Sequence, residues 1–266
     1  MSESRGRCQR LARCGCLLAV ATGLAVLVPG GSTLAHHPWV LVMDKGDDTQ
    51  WVRLGWGHAF PDDGPLADER VGRLEHRLPD GDIKSLEPKS GREGAYAISI
   101  EQSGIHRLVL WQEPGYWTRT PRGGERAPRS EVSDGVECSR SHNTARKVIV
   151  HGASDHGEIG EEWSLGERLE ILLAEGGGPA PEPGDPVPLQ VLADGEPVEL
   201  ELALYAPDGG SEAVRRVATD GDGRAEIEPY EPGEWLVHAQ YTQSYPDPER
   251  CDYESFNATL VLEVSK

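Results

Sequence analysis

The stretch "VELELALY", residues 198–205, decides the fold class. Every second residue from Val198 to Leu204 is apolar, and Glu199 and Glu201 occupy positions between them. Successive side chains of a β-strand point to opposite faces of the sheet. The stretch therefore predicts a half-buried strand with one apolar face and one face in water.

Short apolar or alternating runs of the same kind recur along the chain, separated by turns rich in Gly, Pro and Asp. They are "WVRLGW" (51–56), "AYAISI" (95–100), "IHRLVLW" (105–111), "RKVIVH" (146–151), "RLEILLA" (168–174), "PLQVLA" (188–193), "EWLVHAQY" (234–241) and "ATLVLEV" (258–264). Residues 113–137 show no periodicity and are predicted to form a long loop. Many short strands with such turns predict an all-β protein built from sandwiches.

The first 35 residues have the order of an export signal. Four arginines between Arg5 and Arg13 precede an apolar run at 17–28, and small residues follow up to Ala35. The run is short for a membrane span, and no cysteine follows it as a lipid attachment site. We expect a signal peptide at 1–35, cleavage after Ala35, and a periplasmic or secreted protein that does not insert into the membrane once cleaved.

The remaining residues divide into two predicted β-sandwich domains, 36–160 and 161–266. The boundary is placed in the polar stretch 152–164. From Leu165 onward the chain has about seven strand-like runs, which is typical of an immunoglobulin-like or transthyretin-like sandwich. The Pro- and Gly-rich residues 174–186 are predicted to be a loop within this second domain.

Charge and cysteine content restrict the partners and the compartment. The whole chain has a net charge of −19. Because the first 35 residues hold four Arg and one Glu, the charge of the predicted mature chain is near −22. This charge argues against nucleic acid and anionic membranes as partners. Of five cysteines, Cys138 and Cys251 lie outside the signal, and two cysteines in an exported chain predict one disulfide.

Cleavage after Ala35 would make His36 the first residue. A free amine has a pKa of about 7.7, so a metal ion can displace its proton near neutral pH. The amine and the imidazole of His36 can then bind the same ion and form a chelate ring. A second imidazole would complete a T-shaped set of nitrogen ligands that suits copper and nickel. His37 offers a competing way to bind the metal, through the amine, the deprotonated amide of His37 and its imidazole. Binding by backbone amides cannot continue to Pro38, because proline has no amide hydrogen. The alternative is a mobile terminus that binds nothing specific.

His58 is the candidate for the second imidazole. It follows the strand-like run 51–56, and if that run pairs with 38–43 through the turn "DKGDDT", the hairpin places His58 and His36/His37 at the same end. The alternative is a histidine that only caps a turn. His142 and His151 are further ligand candidates, whereas His76, His106 and His238 are expected on strand surfaces.

Two motifs carry a family resemblance: "AHHPWVLV" (35–42) and "RLGWGHAFPDD" (53–63). With the patterns at 114–124, 169–205 and 219–241, they resemble the DUF4198 family of exported proteins, which includes periplasmic components linked to nickel and cobalt uptake transporters. The resemblance implies that His36 and His58 are the family's motif histidines, with Trp39 and Phe60 as companions. His37 has no counterpart in the family pattern.

The sequence thus predicts an exported protein that binds a divalent transition metal, nickel or cobalt with copper possible. It would capture or deliver this metal for membrane metal-transporter components, with His36, His37 and His58 as ligands. No catalytic motif such as Gly-x-Ser-x-Gly or His-Glu-x-x-His occurs, so we expect no enzyme. Two alternatives stay open: an oxidative enzyme that uses a copper histidine brace, and a structural or interaction β-sandwich without a metal.

Overall fold

The computed structural model describes residues 36–43, 49–88, 95–152 and 163–265. Regular structure in these residues consists of eighteen β-strands and two single-turn 3₁₀ helices, Asp68–Arg70 and Arg129–Glu131. The all-β prediction is confirmed. Within the described part of the chain, no helix has the length and apolar character that a membrane span requires.

The strands are numbered in chain order. They are β1 (His37–Met43), β2 (Thr49–Gly57), β3 (Gly64–Pro65), β4 (Val71–Arg77), β5 (Ile83–Ser85), β6 (Ala95–Ser99), β7 (Gly104–Gln112), β8 (Gly115–Thr120), β9 (Gly123–Glu125), β10 (Glu137–His151), β11 (Leu169–Leu173), β12 (Val187–Ala193), β13 (Glu196–Pro197), β14 (Glu201–Tyr205), β15 (Arg215–Ala218), β16 (Arg224–Ile227), β17 (Gly233–Ser244) and β18 (Tyr253–Val264).

Three sheets are formed by the described strands. A ten-stranded sheet has the order β15-β14-β17-β18-β10-β7-β4-β5, and β8 and β9 form a hairpin that joins it through β10. Two four-stranded sheets consist of β1, β2, β3 and β6 and of β11, β12, β13 and β16. Among the described pairs, β10 and β18 are parallel, whereas the other neighbours run antiparallel.

Each small sheet packs on one part of the ten-stranded sheet and forms a core with it. The first core joins the β1–β2–β6 sheet to β4, β7 and β10 and contains Val40, Val52, Leu54, Leu66, Leu74, Tyr96, Ile98, Leu108, Leu110, Ala145 and Ile149. The second core joins the β11–β12–β16 sheet to β14, β17 and β18, with the fully buried Trp235 among its side chains. Burying a Val, Leu, Ile or Phe side chain contributes about 1.5–3 kcal/mol. The two cores therefore supply much of the stability of the fold.

The two predicted halves share the ten-stranded sheet. Strand β10 pairs with β7 of the first half on one side and with β18 of the second half on the other. All described residues fall in one compact unit. The predicted boundary between residues 160 and 161 lies in 153–162, outside the described residues, so the division at that point stays a prediction.

Strand β1 is buried on both faces. Val40 belongs to the first core, whereas Trp39 and Leu41 form a third cluster with Phe60 and with residues of the other half. These residues are Ala203, Tyr205, Leu236 and Val261. The Thr259 hydroxyl also donates a hydrogen bond to the carbonyl oxygen of Pro38, at 2.7 Å.

This burial corrects the prediction for residues 198–205. Strand β14 begins only at Glu201. Leu202 and Leu204 do face the second core, but Ala203 and Tyr205 on the other face are buried as well. Strand β1 and Phe60 cover that second face, and neighbouring strands distant in sequence leave no signal in a local alternation pattern.

The predicted loop at 113–137 is also corrected, because it contains the β8–β9 hairpin. The buried positions of β8 are threonines, Thr118 and Thr120, so β8 lacks the apolar face by which other strands can be recognised in the sequence.

The predicted disulfide between Cys138 and Cys251 is confirmed. It lies beside this hairpin and joins the start of β10 to the turn before β18.

Candidate metal site

The β1–β2 hairpin brings His36 and His58 together. In the observed register His37 lies opposite Gly57, so His36 and His58 are the next residues at the same end of the two strands. The centroids of the two imidazole rings are 3.9 Å apart. His36 is exposed and His58 is half-buried. The predicted hairpin and its placement of these two residues are therefore confirmed.

The His36 ring also stacks on the indole of Trp56. The ring centroids are 5.7 Å apart and the planes differ by 9°. Trp56 and His58 lie on the same side of β2, two residues apart, because side chains alternate along a strand. The indole thus gives His36 an apolar support that an isolated chain terminus lacks.

Asp63 holds the backbone around His58. Its Oδ2 accepts hydrogen bonds from the amides of His58 (2.8 Å) and Ala59 (3.2 Å), and its Oδ1 accepts one from Gly64 (2.9 Å). These three donors lower the pKa of the Asp63 carboxyl, because hydrogen bonds to the charged form stabilise it. The carboxylate therefore fixes the turn that carries His58.

Two glycines make room for this arrangement. A Cβ on Gly57 would lie 2.0 Å from Oδ2 of Asp63, and a Cβ on Gly55 would lie 1.9 Å from Nε1 of Trp39. The φ of Gly57 is +157°, a value that disfavours residues with a side chain. The motif "GWGH" (55–58) thus lets Trp39 and Asp63 pack directly against the backbone of β2.

The turn after His58 is anchored to the second half of the chain. Phe60 is fully buried and packs edge-on against Trp39, with ring centroids 5.8 Å apart. Its carbonyl oxygen accepts a hydrogen bond from the amide of Gly210 at 3.1 Å. The companions that the resemblance implied for the histidines, Trp39 and Phe60, are therefore packing residues beneath the site.

The electrostatic environment favours the neutral form of His36. Partial burial lowers its pKa below the usual value of 6.5, and so do the nearby charges of His58, Arg70 and Arg126, whereas Asp63 acts in the opposite direction. A neutral imidazole has a lone pair to offer to a metal. The side chain is thus in its ligand form at neutral pH.

His37 is not brought to this pair. It is 2% exposed and lies on the opposite side of β1, where its ring stacks on His238 at 4.4 Å and approaches Tyr205 at 5.4 Å. Nε2 of His238 donates a hydrogen bond to Oδ1 of Asn257 at 3.2 Å, and burial lowers the pKa of His238 to about 4. The expectation that His238 is a solvated surface residue is therefore wrong, because β1 covers that face of β17.

His76 and His106 are buried as well, against the prediction that they lie on strand surfaces. Each is 1% exposed, and Nε2 of His76 lies 2.9 Å from Nδ1 of His106. They sit on the adjacent strands β4 and β7. The two rings are thus within hydrogen-bonding distance of each other, and buried polar side chains are generally hydrogen-bonded in this way.

The two further ligand candidates do not join the His36–His58 pair. His151 is exposed at the end of β10. His142 contacts the carboxylate of Glu254 at 2.8 Å and lines a cleft of about 340 Å³ together with Trp111 and Phe256. Among the described residues, no group of three or more His, Cys, Asp or Glu side chains is arranged to hold a metal.

The His36–His58 site therefore offers two imidazoles from side chains. A third nitrogen, the amine of residue 36, would be added by the predicted cleavage after Ala35, and the metal site stays a prediction. Sequence reasoning did not find Asp63 and Arg70 beside the site. The run "FPDD" (60–63) contained the signal for Asp63, because an aspartate after proline commonly accepts backbone hydrogen bonds in a turn.

These features define an all-β chain with a pair of histidines, His36 and His58, at the start of its first strand. The match to a family model covers residues 33–243, and the family is described as a domain of unknown function, DUF4198. The protein belongs to this family. A comparison with curated proteins gave no match.

Proposed function

We propose that the protein is an exported metal-binding protein that captures or delivers nickel or cobalt for a membrane transporter. His36 would bind through its amine and imidazole, and His58 through its imidazole. The observation that carries the proposal is the 3.9 Å separation of the two imidazole rings at the exposed end of β1. Export would create the amine at that same position.

The nitrogen set supports a late first-row divalent ion. Imidazole and amine ligands suit nickel and copper, and the family resemblance favours nickel or cobalt over copper. The membrane transporter as a partner rests on that resemblance alone. The exposure of His36 supports exchange of the metal with another protein, since a delivery site must be reachable from outside.

His37 has no part in this proposal. Its imidazole is buried beside His238, so moving it to the metal would empty a packed position in the interior. A folded protein loses stability when a buried side chain is withdrawn from its neighbours. The amide and imidazole of His37 would therefore compete for metal only in an unfolded terminus.

The test is calorimetric titration of nickel, cobalt and copper into protein with a defined N-terminus. One preparation begins at His36 and a second carries one additional residue before it. The additional residue removes the free amine from residue 36 and leaves every side chain unchanged. We expect nickel affinity to fall by about tenfold or more, and the variant His58→Ala to lose a comparable factor.

His151→Ala is the matched control, because His151 is exposed and belongs to another strand end. His76 and His238 are unsuitable controls, since replacing them would create cavities. Equal affinity for the native and extended N-termini would show that the amine is no ligand. Tighter binding of copper than the others together with oxygen consumption would favour the histidine-brace enzyme instead.

A further inference from the structure

The cleft of about 340 Å³ that His142 lines lies at a break in the ten-stranded sheet. Strand β10 pairs with β8 up to Ser141 and with β7 from Thr144 onward, so His142 and Asn143 have no ladder partner toward β7 and β8. The pairing of β4 with β7 is also interrupted, at Gly72. Both interruptions border the cleft, because Gly72, His142 and Asn143 line it. Irregularities of this kind are over-represented next to active sites, which indicates a binding site.

Two side chains of the cleft offer hydrogen-bond acceptors. Asn143 is 3% exposed; its Nδ2 lies 3.3 Å from the side-chain amide of Gln112, but its Oδ1 has no hydrogen-bond partner among the described residues. Burial lowers the pKa of His142 in spite of the opposing effect of Glu254, so the ring is neutral at pH 7. A carboxylate can only accept, so Nε2 of His142 donates to Glu254 at 2.8 Å and Nδ1 is an acceptor. A ligand of this cleft should therefore bring donors.

The charged side chains of the cleft cancel one another. Two arginines and two glutamates line it: Arg73, Arg168, Glu113 and Glu167. Each arginine already pairs with a carboxylate, Arg73 with Glu75 at 3.3 Å and Arg168 with Asp194. An anionic ligand therefore meets no free guanidinium group among the described residues of the wall, and a cationic ligand would be repelled by both arginines. A neutral ligand fits this wall best.

Trp111 and Phe256 give the cleft aromatic walls. The guanidinium carbon of Arg73 lies 3.7 Å from the centroid of the Trp111 ring, and Nε1 of Trp111 donates to the carboxylate of Glu167. His142 stacks on Phe256, with ring centroids 5.0 Å apart. These contacts fix the orientation of both rings before any ligand binds. The ligand thus meets flat apolar surfaces beside the acceptor atoms.

We propose that this cleft binds a neutral monosaccharide or disaccharide, whose hydroxyl groups donate to Asn143 and His142 while a sugar ring packs against Trp111. A sugar ring combines an apolar face of C–H groups with hydroxyl donors around its edge. Thr144, opposite Trp111 on β10, adds a hydroxyl that can donate or accept. The volume lies at the lower end of the roughly 300–1,000 Å³ that is usual for ligand pockets, which suits a small sugar. The inference goes beyond the proposed function, since neither histidine of the metal site lines this cleft.

Saturation-transfer difference NMR on metal-free protein tests the inference. The probes are glucose, galactose, mannose, N-acetylglucosamine, maltose and cellobiose, with spermidine and citrate as charged comparisons. We expect saturable binding of at least one sugar. The variant His142→Phe keeps a ring but removes the acceptor, and should weaken sugar binding about tenfold. Glu254 would keep its contacts with Gln243 and Arg140 in this variant.

Thr144→Val keeps the side-chain shape, removes the hydroxyl and should weaken sugar binding severalfold. Thr242→Val, at an exposed position of β17 outside the cleft, is the matched control and should bind as the wild type does. Saturable binding of none of the sugars would overturn the inference, and so would sugar binding that His142→Phe leaves unchanged. If His142→Phe does not fold, Thr144→Val decides in the same way. Binding of spermidine or citrate without any sugar would also overturn it, because the ligand would then be charged.

Discussion

Replacing His76 by glutamine should make the stability of the protein less sensitive to acid. Nε2 of His106 lies 2.8 Å from the carbonyl oxygen of Gln102, so this nitrogen must donate. Nδ1 of a neutral His106 is then an acceptor, and Nε2 of His76 donates to it at 2.9 Å. Both rings are neutral in this arrangement, and a proton added to Nδ1 of His106 would remove the acceptor of the His76 Nε2–H.

The magnitude follows from the pKa of His76. Burial, and to a lesser extent the charges of His106 and Lys84, lower it from 6.5 to about 4. The unfolded chain therefore binds a proton at His76 between these values and the folded chain does not, so stability decreases as pH falls through this window. Linkage gives a loss of about 2 kcal/mol between about pH 7 and pH 5, and about 3 kcal/mol once the pH is below 4.

Urea denaturation at several pH values between about 7 and 5 measures this effect. His76→Gln keeps a donor for Nδ1 of His106 but does not titrate, so its free energy of unfolding should fall by about 2 kcal/mol less than that of the wild type over this range. His151→Gln, at an exposed position, should follow the wild type. Identical pH dependence of the wild type and His76→Gln would refute the reasoning, because other titrating groups are common to both.

Two further predictions concern single contacts. Asp63→Ala removes the acceptor of three amides around His58 and should weaken nickel binding about tenfold in calorimetry. Asp62→Ala, at an exposed neighbouring position, should leave nickel affinity unchanged. Equal nickel affinities of Asp63→Ala and the wild type would show that Asp63 does not position His58. Arg146→Met breaks the buried pair with Glu170, whose Oε1 lies 2.6 Å from Nη2 of the arginine, and should cost about 3–5 kcal/mol of unfolding free energy in urea. Arg216→Met, in an exposed pair, should cost less than about 1 kcal/mol, and similar losses for both arginine variants would contradict the burial argument.

Strands with one apolar face could be predicted from the sequence. The runs at 51–56, 105–111 and 234–241 lie within β2, β7 and β17, because alternation reports which side of a strand leaves water. Strand β8 was missed for the same reason, since its buried positions are Thr118 and Thr120. A buried threonine and an exposed threonine look alike until the neighbouring strand is known.

The histidine pair could be predicted because it depends on local geometry. Antiparallel pairing of two runs joined by a short turn fixes which ends meet, and that is enough to place His36 beside His58. The positions of His37, His76 and His238 depend on strands far apart in sequence. A histidine in an alternating run is expected to face solvent. Only the tertiary structure shows that these histidines are buried beside another histidine.

The arrangement of β1 answers the objection that a chain terminus is too mobile to hold a metal. His37 is buried, the Pro38 carbonyl accepts a hydrogen bond from Thr259, and Trp39 is completely enclosed. Residues 37–39 are therefore fixed to the interior. A new N-terminus at His36 would lie only one residue outside this anchored segment, and its ring would still stack on Trp56. Because binding then requires little further ordering of the chain, most of the coordination energy would appear as affinity.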